Sequence, residues 1–430
     1  MYLLYNFLLL LGSILVLPLY LFKMITTGKY RRSALQKLGY LPTRLTRDLA
    51  GESPLWFHAV SVGEVLSSAS IIRMIKEKYP NHKIILSTVT ETGNHTAKSR
   101  LTGIDSIIYF PLDYRCVVKR VIAAINPRLF VIVDTDIWPN FLRELKKRRV
   151  PSIIINGRVS PRSYRRYRCF KWFFKTVLEH ISLFSMQSLV DSDRIIKSGA
   201  DASKVMTTGN LKFDQEVPDL ADLEKERLLY SMDLKPTQKV FIAGSTHRGE
   251  EEIVLDVFEE LKREYSDLVL LLAPRNPERF TEVENLVSAR NLTCVRKTRI
   301  KTSSNPAVRE VIILDTIGEL SRIYSIGLFA FVGGSFVKVG GHNLLEPAGY
   351  KKAVIFGPYM HNFSEISQVL KDSGGGIQVR HKDEFVFHAR RLLDDPSLLH
   401  SLGEAAYGVI ERNQGATLRN MEIVDRFITP

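Results

Sequence analysis

The sequence predicts an α/β protein of two Rossmann-like domains facing one another across a cleft, preceded by an N-terminal transmembrane helix. Three observations carry that reading. Short, uniformly apolar runs alternate with helical stretches along most of the chain, which is the rhythm of parallel strands buried on both faces. The rhythm breaks once, around 204–222, where a polar stretch containing Pro218 reads as a linker. The first residues form a long apolar run, Leu3–Phe22, that contains no charged side chain. At 430 residues the chain is long enough for two domains of ordinary size.

Taken in order, Leu3–Phe22 has the length of a helix that spans a bilayer core, with only Asn6, Gly12 and Pro18 as interruptions. Lys23, Lys29, Arg31, Arg32 and Lys37 follow at once, and no basic side chain precedes the run, so the bulk of the chain is expected on the cytoplasmic side. Lys23–Asp48 is basic and reads as a helix lying on the membrane surface. From there Leu55–Ala59, Lys83–Thr88, Ile107–Phe110, Leu129–Val133, Ser152–Ile155 and Ile181–Phe184 are expected strands, with a helix at Glu64–Tyr79. The second half repeats the pattern with Val240–Gly244, Leu268–Ala273, Val311–Leu314, Leu328–Val332 and Val354–Phe356, and a helix at Glu251–Tyr265. A last helix, Arg412–Phe427, reads as crossing back to the first domain. The expected division is 1–22 anchor, 23–205 first domain, 206–404 second domain and 405–430 C-terminal helix.

The net charge of +14 calls for an acidic partner: nucleic acid, anionic lipid or a phosphorylated substrate. Cys116, Cys169 and Cys294 are scattered and odd in number, which fits a reducing compartment and neither a disulfide framework nor a metal cluster. Arg143–Lys175 concentrates the charge, with Arg162, Arg165, Arg166 and Arg168 among Tyr164, Tyr167, Phe170, Trp172, Phe173 and Phe174. Behind a membrane anchor, that mixture suits lipid headgroups better than nucleic acid.

In open parallel sheets ligands sit outside the carboxyl ends of the strands. The first strand ends at Gly63-Glu64, a carboxylate opening a helix. It is either a favourable charge on the helix dipole or a general base for a substrate hydroxyl. The fourth strand ends in Asp134-Thr135-Asp136-Ile137-Trp138-Pro139, where two acids, a Trp and a Pro cluster. In the second domain, Ser245 follows one strand and Pro274-Arg275 the next, where a guanidinium is placed for a phosphate. Gly318-Glu319-Leu320 offers backbone to a base. Gly333-Gly334-Ser335 and Gly340-Gly341 allow close backbone approach, although neither the dinucleotide fingerprint nor a P-loop is present. Asn343 and Glu346 read either as a capping box or as a ribose site.

The blocks FHAVSVGEV, STVTETG, DTDIWPN, NGRVSPRSYRRY, GNLKFD, AGSTHRGEE, APRNPER, VGGSFVKVGGHNLLEPA and FGPYMHNF stand in an order that resembles the bacterial 3-deoxy-D-manno-octulosonic acid (Kdo) transferases. These are lipopolysaccharide glycosyltransferases of the GT-B fold, and the resemblance covers nearly the whole chain. It implies transfer of Kdo from CMP-Kdo to the lipid A precursor at the cytoplasmic face of the inner membrane, with inversion. Glu64 would be the general base, with a catalytic role also for Asp136. The donor would be held by Pro274, Arg275, Gly318, Glu319, Leu320, Asn343, Leu344, Leu345 and Glu346, with Ser245, Gly334 and Ser335. The acceptor would meet Gly63, Thr92, Gly93, Arg158, Ser160 and Arg162. No metal or other cofactor is implied, and no nucleic acid. The chain departs from the family in having Asp134-Thr135-Asp136 where Glu-Thr-Glu is usual, and Asn156-Gly157-Arg158 for Asn-Ala-Arg. The competing classes are a GT-B transferase that uses a UDP-sugar and a lipid acceptor, and a non-catalytic protein binding anionic lipid or nucleic acid.

Overall fold

The computed structural model describes all residues except 27–30, 216, 219, 301–308 and 429–430, and omits the side chains of 19–21, 23–24 and 31–32. Lys29 of the basic flank therefore lies outside the described residues, as do the side chains of Lys23, Arg31 and Arg32. The chain divides into two compact units, Met1–Gln215 with Asn413–Pro430, and Glu216–Arg412. The first unit runs to Gln215 and not to the expected 205, because Val205–Thr207, at the start of the stretch read as a linker, pairs into the first sheet.

Unit 1 opens with α1 (Tyr2–Thr26) and α2 (Arg31–Lys37). Among the described residues no helix is long and apolar enough to cross a membrane. Lys23–Asp48 does not form one surface helix: α2 is followed by a separate helix, Thr43–Asp48, and Ser33, Leu45 and Leu49 are buried in the unit. Its sheet holds β1 (Leu55–His58), β2 (Ile84–Thr88), β3 (Ser106–Tyr109), β4 (Leu129–Val133), β5 (Ser152–Gly157), β6 (Leu183–Met186) and β7 (Val205–Thr207). All are parallel, in the order β3-β2-β1-β4-β5-β6-β7. The alternation of side chains along β1 sends Trp56 into one core and Leu55 and Phe57 into the other, so the sheet is buried on both faces. The helix expected at Glu64–Tyr79 is two helices, Val62–Ser67 and Ala69–Lys78, broken at Ser68. The last helix, Ala416–Ile428, packs Met421, Ile423 and Val424 against Ile71, Ile72 and Ile75. Arg128 ties it down by donating to the Ile428 carbonyl at 2.6 Å.

Unit 2 has β8 (Lys239–Thr246), β9 (Leu268–Pro274), β10 (Cys294–Arg296), β11 (Val311–Ile313), β12 (Phe329–Val332), β13 (Ala353–Phe356) and β14 (Gly376–Gln378). The order is β10-β11-β9-β8-β12-β13-β14, again all parallel. In each unit the strand order reverses beside the first strand: between β1 and β4, and between β8 and β12. Those switch points are where parallel sheets present ligand sites.

Candidate active site

In unit 1 the switch point is lined by carboxylates. Glu64 is the third residue of the helix Val62–Ser67. Its Oε2 accepts the Val60 N–H at 2.6 Å and its Oε1 accepts the Ser61 hydroxyl at 2.8 Å. The side chain thus caps its own turn, and the same geometry changes its chemistry. Burial raises its pKa first, repulsion from Asp134 adds to it, the two hydrogen bonds oppose, and Asp136 contributes last; the outcome is about 7, against 4.5 for the ordinary group. Asp134, with φ of 69°, is raised by burial to about 6 although Arg158 and Lys212 hold it down. One turn at the end of β1 and one at the end of β4 therefore gather three acids.

Asp136 is held differently from Glu64. Its Oδ2 accepts the Trp138 indole N–H at 2.6 Å and lies 3.2 Å from His58 Nε2. His58 is fully buried, and its Nδ1 lies 3.0 Å from Ser87 Oγ, which also accepts the Trp56 indole N–H at 2.8 Å. The shorter Asp side chain is thus fixed on both sides. His58 was not singled out from the sequence, where it reads as a strand residue whose partner lies 78 positions away.

The residues assigned to the acceptor divide into two groups. Gly63 and Thr92 are exposed, and open space surrounds the place where a Gly63 Cβ would stand. Arg158 is half-buried beside Asp134, and Arg162 is exposed. Gly93 instead holds the framework: a Cβ there would meet Thr90 Oγ1 at 2.8 Å, and its N–H donates to that oxygen at 3.0 Å. Thr90 in turn donates to the Val60 carbonyl at 3.1 Å, fastening the neighbouring helix to the Glu64 turn. Ser160 caps the helix Pro161–Cys169, its Oγ accepting the Ser163 N–H at 3.1 Å.

In unit 2 the glycine loop differs from its sequence reading. The N–H groups of Gly334, Ser335 and Phe336 all donate to the Glu250 carboxylate, at 2.7, 2.9 and 2.8 Å, and His247 N–H joins them at 2.9 Å. Glu250 is fully buried at the first position of the helix Glu250–Lys262, so the seat that a helix start and a glycine loop offer an anion is filled by the chain itself. The Ser335 hydroxyl donates to the Val332 carbonyl at 2.6 Å and accepts the Gly357 N–H at 2.9 Å. The amides of Gly334 and Ser335 and the Ser335 hydroxyl are therefore structural. From sequence Glu250 looked like one more acid in a run of three.

The other residues assigned to the donor differ in exposure. Arg275 is exposed after β9, its own N–H fixed on the Thr246 carbonyl at 2.9 Å, while Arg279 is buried against Glu251 at 2.7 Å. Ser245 occupies a left-handed turn, φ 57°, where β8 departs from its register with β9. Glu346 does not form a capping box. Asn343 Oδ1 accepts the Leu345 N–H at 3.2 Å, and the Asn343 amide reaches Glu346 Oε1 at 3.4 Å. Burial raises the Glu346 pKa, opposed by Asn343 and by the Arg275 charge. Leu344 and Leu345 are buried, leaving only backbone to offer a ligand. Gly318 has φ of 89°, and Glu319 accepts from Lys297 at 2.5 Å. His247 and His342, also missed, stack with rings 4° from parallel and Nε2 atoms 2.8 Å apart. Burial, Arg275 and His247 push His342 down to about 4, so the pair is neutral at pH 7.

A family model for 3-deoxy-D-manno-octulosonic-acid transferase (kdotransferase) matches residues 32–215. The 3-deoxy-D-manno-octulosonic acid transferase of Haemophilus influenzae is 33% identical over 409 residues, covering 94% of this chain and 93% of that protein. The chain belongs to the 3-deoxy-D-manno-octulosonic acid transferase family. The Kdo transferase of Chlamydia pneumoniae is 32% identical over 376 residues, 87% of this chain and 84% of its own. A bifunctional glycosyltransferase/methyltransferase of Fusobacterium nucleatum is 37% identical over 372 residues, and the match spans 57% of that relative's length. A UDP-GlcNAc 2-epimerase from Neisseria meningitidis bound to UDP-GlcNAc superposes with a TM-score of 0.59 at 12% identity, over 87% of this chain and 100% of that one. It shares the fold alone. Membership in the Kdo transferase family sets the reaction class: a glycosyltransferase of lipopolysaccharide biosynthesis.

Proposed function

We propose that the chain transfers Kdo from CMP-Kdo to a hydroxyl of the lipid A precursor (lipid IVA), with inversion, and that Glu64 is the general base. The observation that carries this is the Glu64 carboxylate at the unit 1 switch point, its pKa lifted to about 7 by burial and by Asp134. A base near the working pH is ionised often enough to act and binds a proton more tightly than an ordinary carboxylate. The acceptor O–H gives its proton to Glu64 as the oxygen bonds to the anomeric carbon. The bond from that carbon to the CMP phosphate oxygen breaks, and its electron pair leaves with the phosphate.

That leaving group needs positive charge more than an acid, which assigns Arg275 to the phosphate. Glu346, left free of backbone capping, accepts ribose hydroxyls. Asp136, locked between His58 and Trp138, keeps the β4 turn in place beside the base. The scheme requires no divalent metal and no cofactor. The acceptor is a membrane lipid, so the chain works at the cytoplasmic face of the inner membrane, with α1 as its membrane segment and its basic surface on anionic lipids. Mixing CMP-Kdo with the lipid A precursor tests the reading: it predicts CMP release and a lipid carrying added Kdo by mass spectrometry. Absence of CMP release, or turnover of UDP-sugars instead, would overturn it.

A further inference from the structure

The helix α1 is built inside out. Tyr2, Tyr5, Asn6, Leu9 and Ser13 recur at helical spacing on one face and are the half-buried residues of its first thirteen. Their polar atoms meet polar partners on unit 1. Tyr5 donates to Asp113 Oδ2 at 2.8 Å, the Asn140 amide donates to Asn6 Oδ1 at 2.7 Å, and Tyr2 Oη lies 3.0 Å from His180 Nε2. Ser13 pairs with the Tyr114 hydroxyl. Asp113 is a built seat, 2% exposed, and also accepts the N–H groups of Asn140 and Phe141 at 2.9 and 2.8 Å.

The opposite face carries Leu3 at 86% exposure, Phe7 at 62% and Leu8 at 55%; beyond Ser13 the described side chains, Ile14 to Pro18, Phe22, Ile25 and Thr26, are all exposed, with Leu15 at 70%. A surface helix in water turns its apolar stripe inward and its polar one outward. This one does the reverse, so the medium outside it is apolar. The chain then returns to the same unit. Gln36 of α2 accepts the Tyr109 N–H at 2.9 Å, and the Lys37 carbonyl accepts the Leu112 N–H at 2.8 Å. Both ends of the segment Tyr2–Lys37 are thus held on unit 1, and a helix that crossed a bilayer would part them.

The neighbours of α1 suit a membrane–water boundary. Phe173, from the helix Lys171–Leu178, stacks on Tyr5 with ring centroids 5.7 Å apart, and the Arg143 guanidinium sits 4.4 Å from the Tyr2 ring centroid. Beside them Phe170 and Trp172 are exposed at 53% and 58%, among the exposed cations Arg166, Arg168 and Lys171. Aromatic rings and cations bordering an apolar face match the headgroup level of an anionic leaflet. We propose that α1 does not cross the bilayer but lies in its near leaflet, docked on unit 1 through Asp113, Asn140 and His180, with its apolar face in the acyl region of an anionic membrane. This deepens the membrane location proposed above.

The test locks the helix in place. In the full chain with Cys116, Cys169 and Cys294 replaced by Ser, Asn6→Cys and Asn140→Cys are joined by a short bismaleimide. The locked protein is then floated with phosphatidylethanolamine–phosphatidylglycerol vesicles. The proposal expects the locked chain to bind as well as the unlocked one, and at least about tenfold better than to phosphatidylcholine alone. Loss of vesicle binding on locking would show a helix that must leave unit 1 to insert, and would overturn it. A separate Leu8→Cys variant carrying an environment-sensitive dye should be quenched by lipid-chain spin labels; a dye that stays in water would overturn it as well. Neither readout involves transfer, so CMP release measured on the same preparation reports separately on the reaction.

Discussion

Replacing Glu64 by Gln should uncouple the stability of unit 1 from pH in a defined window. The Glu64 pKa is raised from 4.5 to about 7 in the fold, burial being the largest cause. Below the unfolded value both states hold the proton, and the contribution to stability is fully present. As pH rises toward the folded value the unfolded chain releases its proton first, and stability falls by about 1.4 kcal/mol per pH unit. Between 4.5 and about 7 that amounts to about 3 kcal/mol, lost by pH 7 and constant above it. Gln cannot ionise. It also disturbs the hydrogen bonds to Val60 and Ser61, but that cost is independent of pH and leaves the slope untouched. Denaturant unfolding of wild type and Glu64→Gln, followed on the unit 1 transition from pH 4.5 to 8, reads the difference directly. The variant should gain on the wild type by about 3 kcal/mol across that range. A difference that stays flat would mean that Glu64 titrates as an ordinary carboxylate, and the argument for it as a base poised near neutrality would fail.

Three further perturbations separate donor binding from framework. Arg275→Ala should weaken CMP at least about tenfold by calorimetry, the usual worth of a charged hydrogen bond to phosphate, while leaving the melting of unit 2 unchanged. Equal affinity would remove Arg275 from the phosphate. Glu250→Gln places an amide N–H against a ring of backbone N–H donors, so unit 2 should lose about 2 kcal/mol or more and Gly334–Phe336 should exchange hydrogen faster. Unchanged exchange there would show that the loop stands without it. Asp136→Asn disturbs the contacts with His58 and Trp138 and should lower turnover about a hundredfold with CMP affinity intact, because it shifts the turn beside the base. Turnover at the wild-type rate would assign Asp136 no positioning role.

Much of this architecture was legible in the sequence because long apolar runs such as Leu129–Val133 and Leu268–Ala273 form central strands buried on both faces. The edge strands β10 and β14 were not. Each is three residues long and only partly buried, so neither run length nor hydropathy marks it. Ser68 breaks a helix that periodicity alone runs together. At the candidate site, residues that follow a strand end are legible as candidates, as Glu64, Asp136 and Arg275 are. Those defined by a distant partner are not. Glu250 acquires its meaning from amides 84 to 86 positions away, and His342 from a ring 95 positions away. The N-terminal run shows the same limit. Hydropathy summed along Leu3–Phe22 suggests a span, while the polar stripe of Tyr2, Tyr5, Asn6 and Ser13 declares itself only once Asp113, Asn140 and His180 are folded beneath it.

The central claim, that Glu64 takes the acceptor proton, is tested most directly by single turnover of Glu64→Gln with CMP-Kdo and the lipid A precursor. The account predicts CMP affinity equal to wild type and a transfer step slowed at least about a hundredfold, since general-base catalysis contributes that much or more. Transfer within a few-fold of the wild-type rate would contradict it and move the base to another residue.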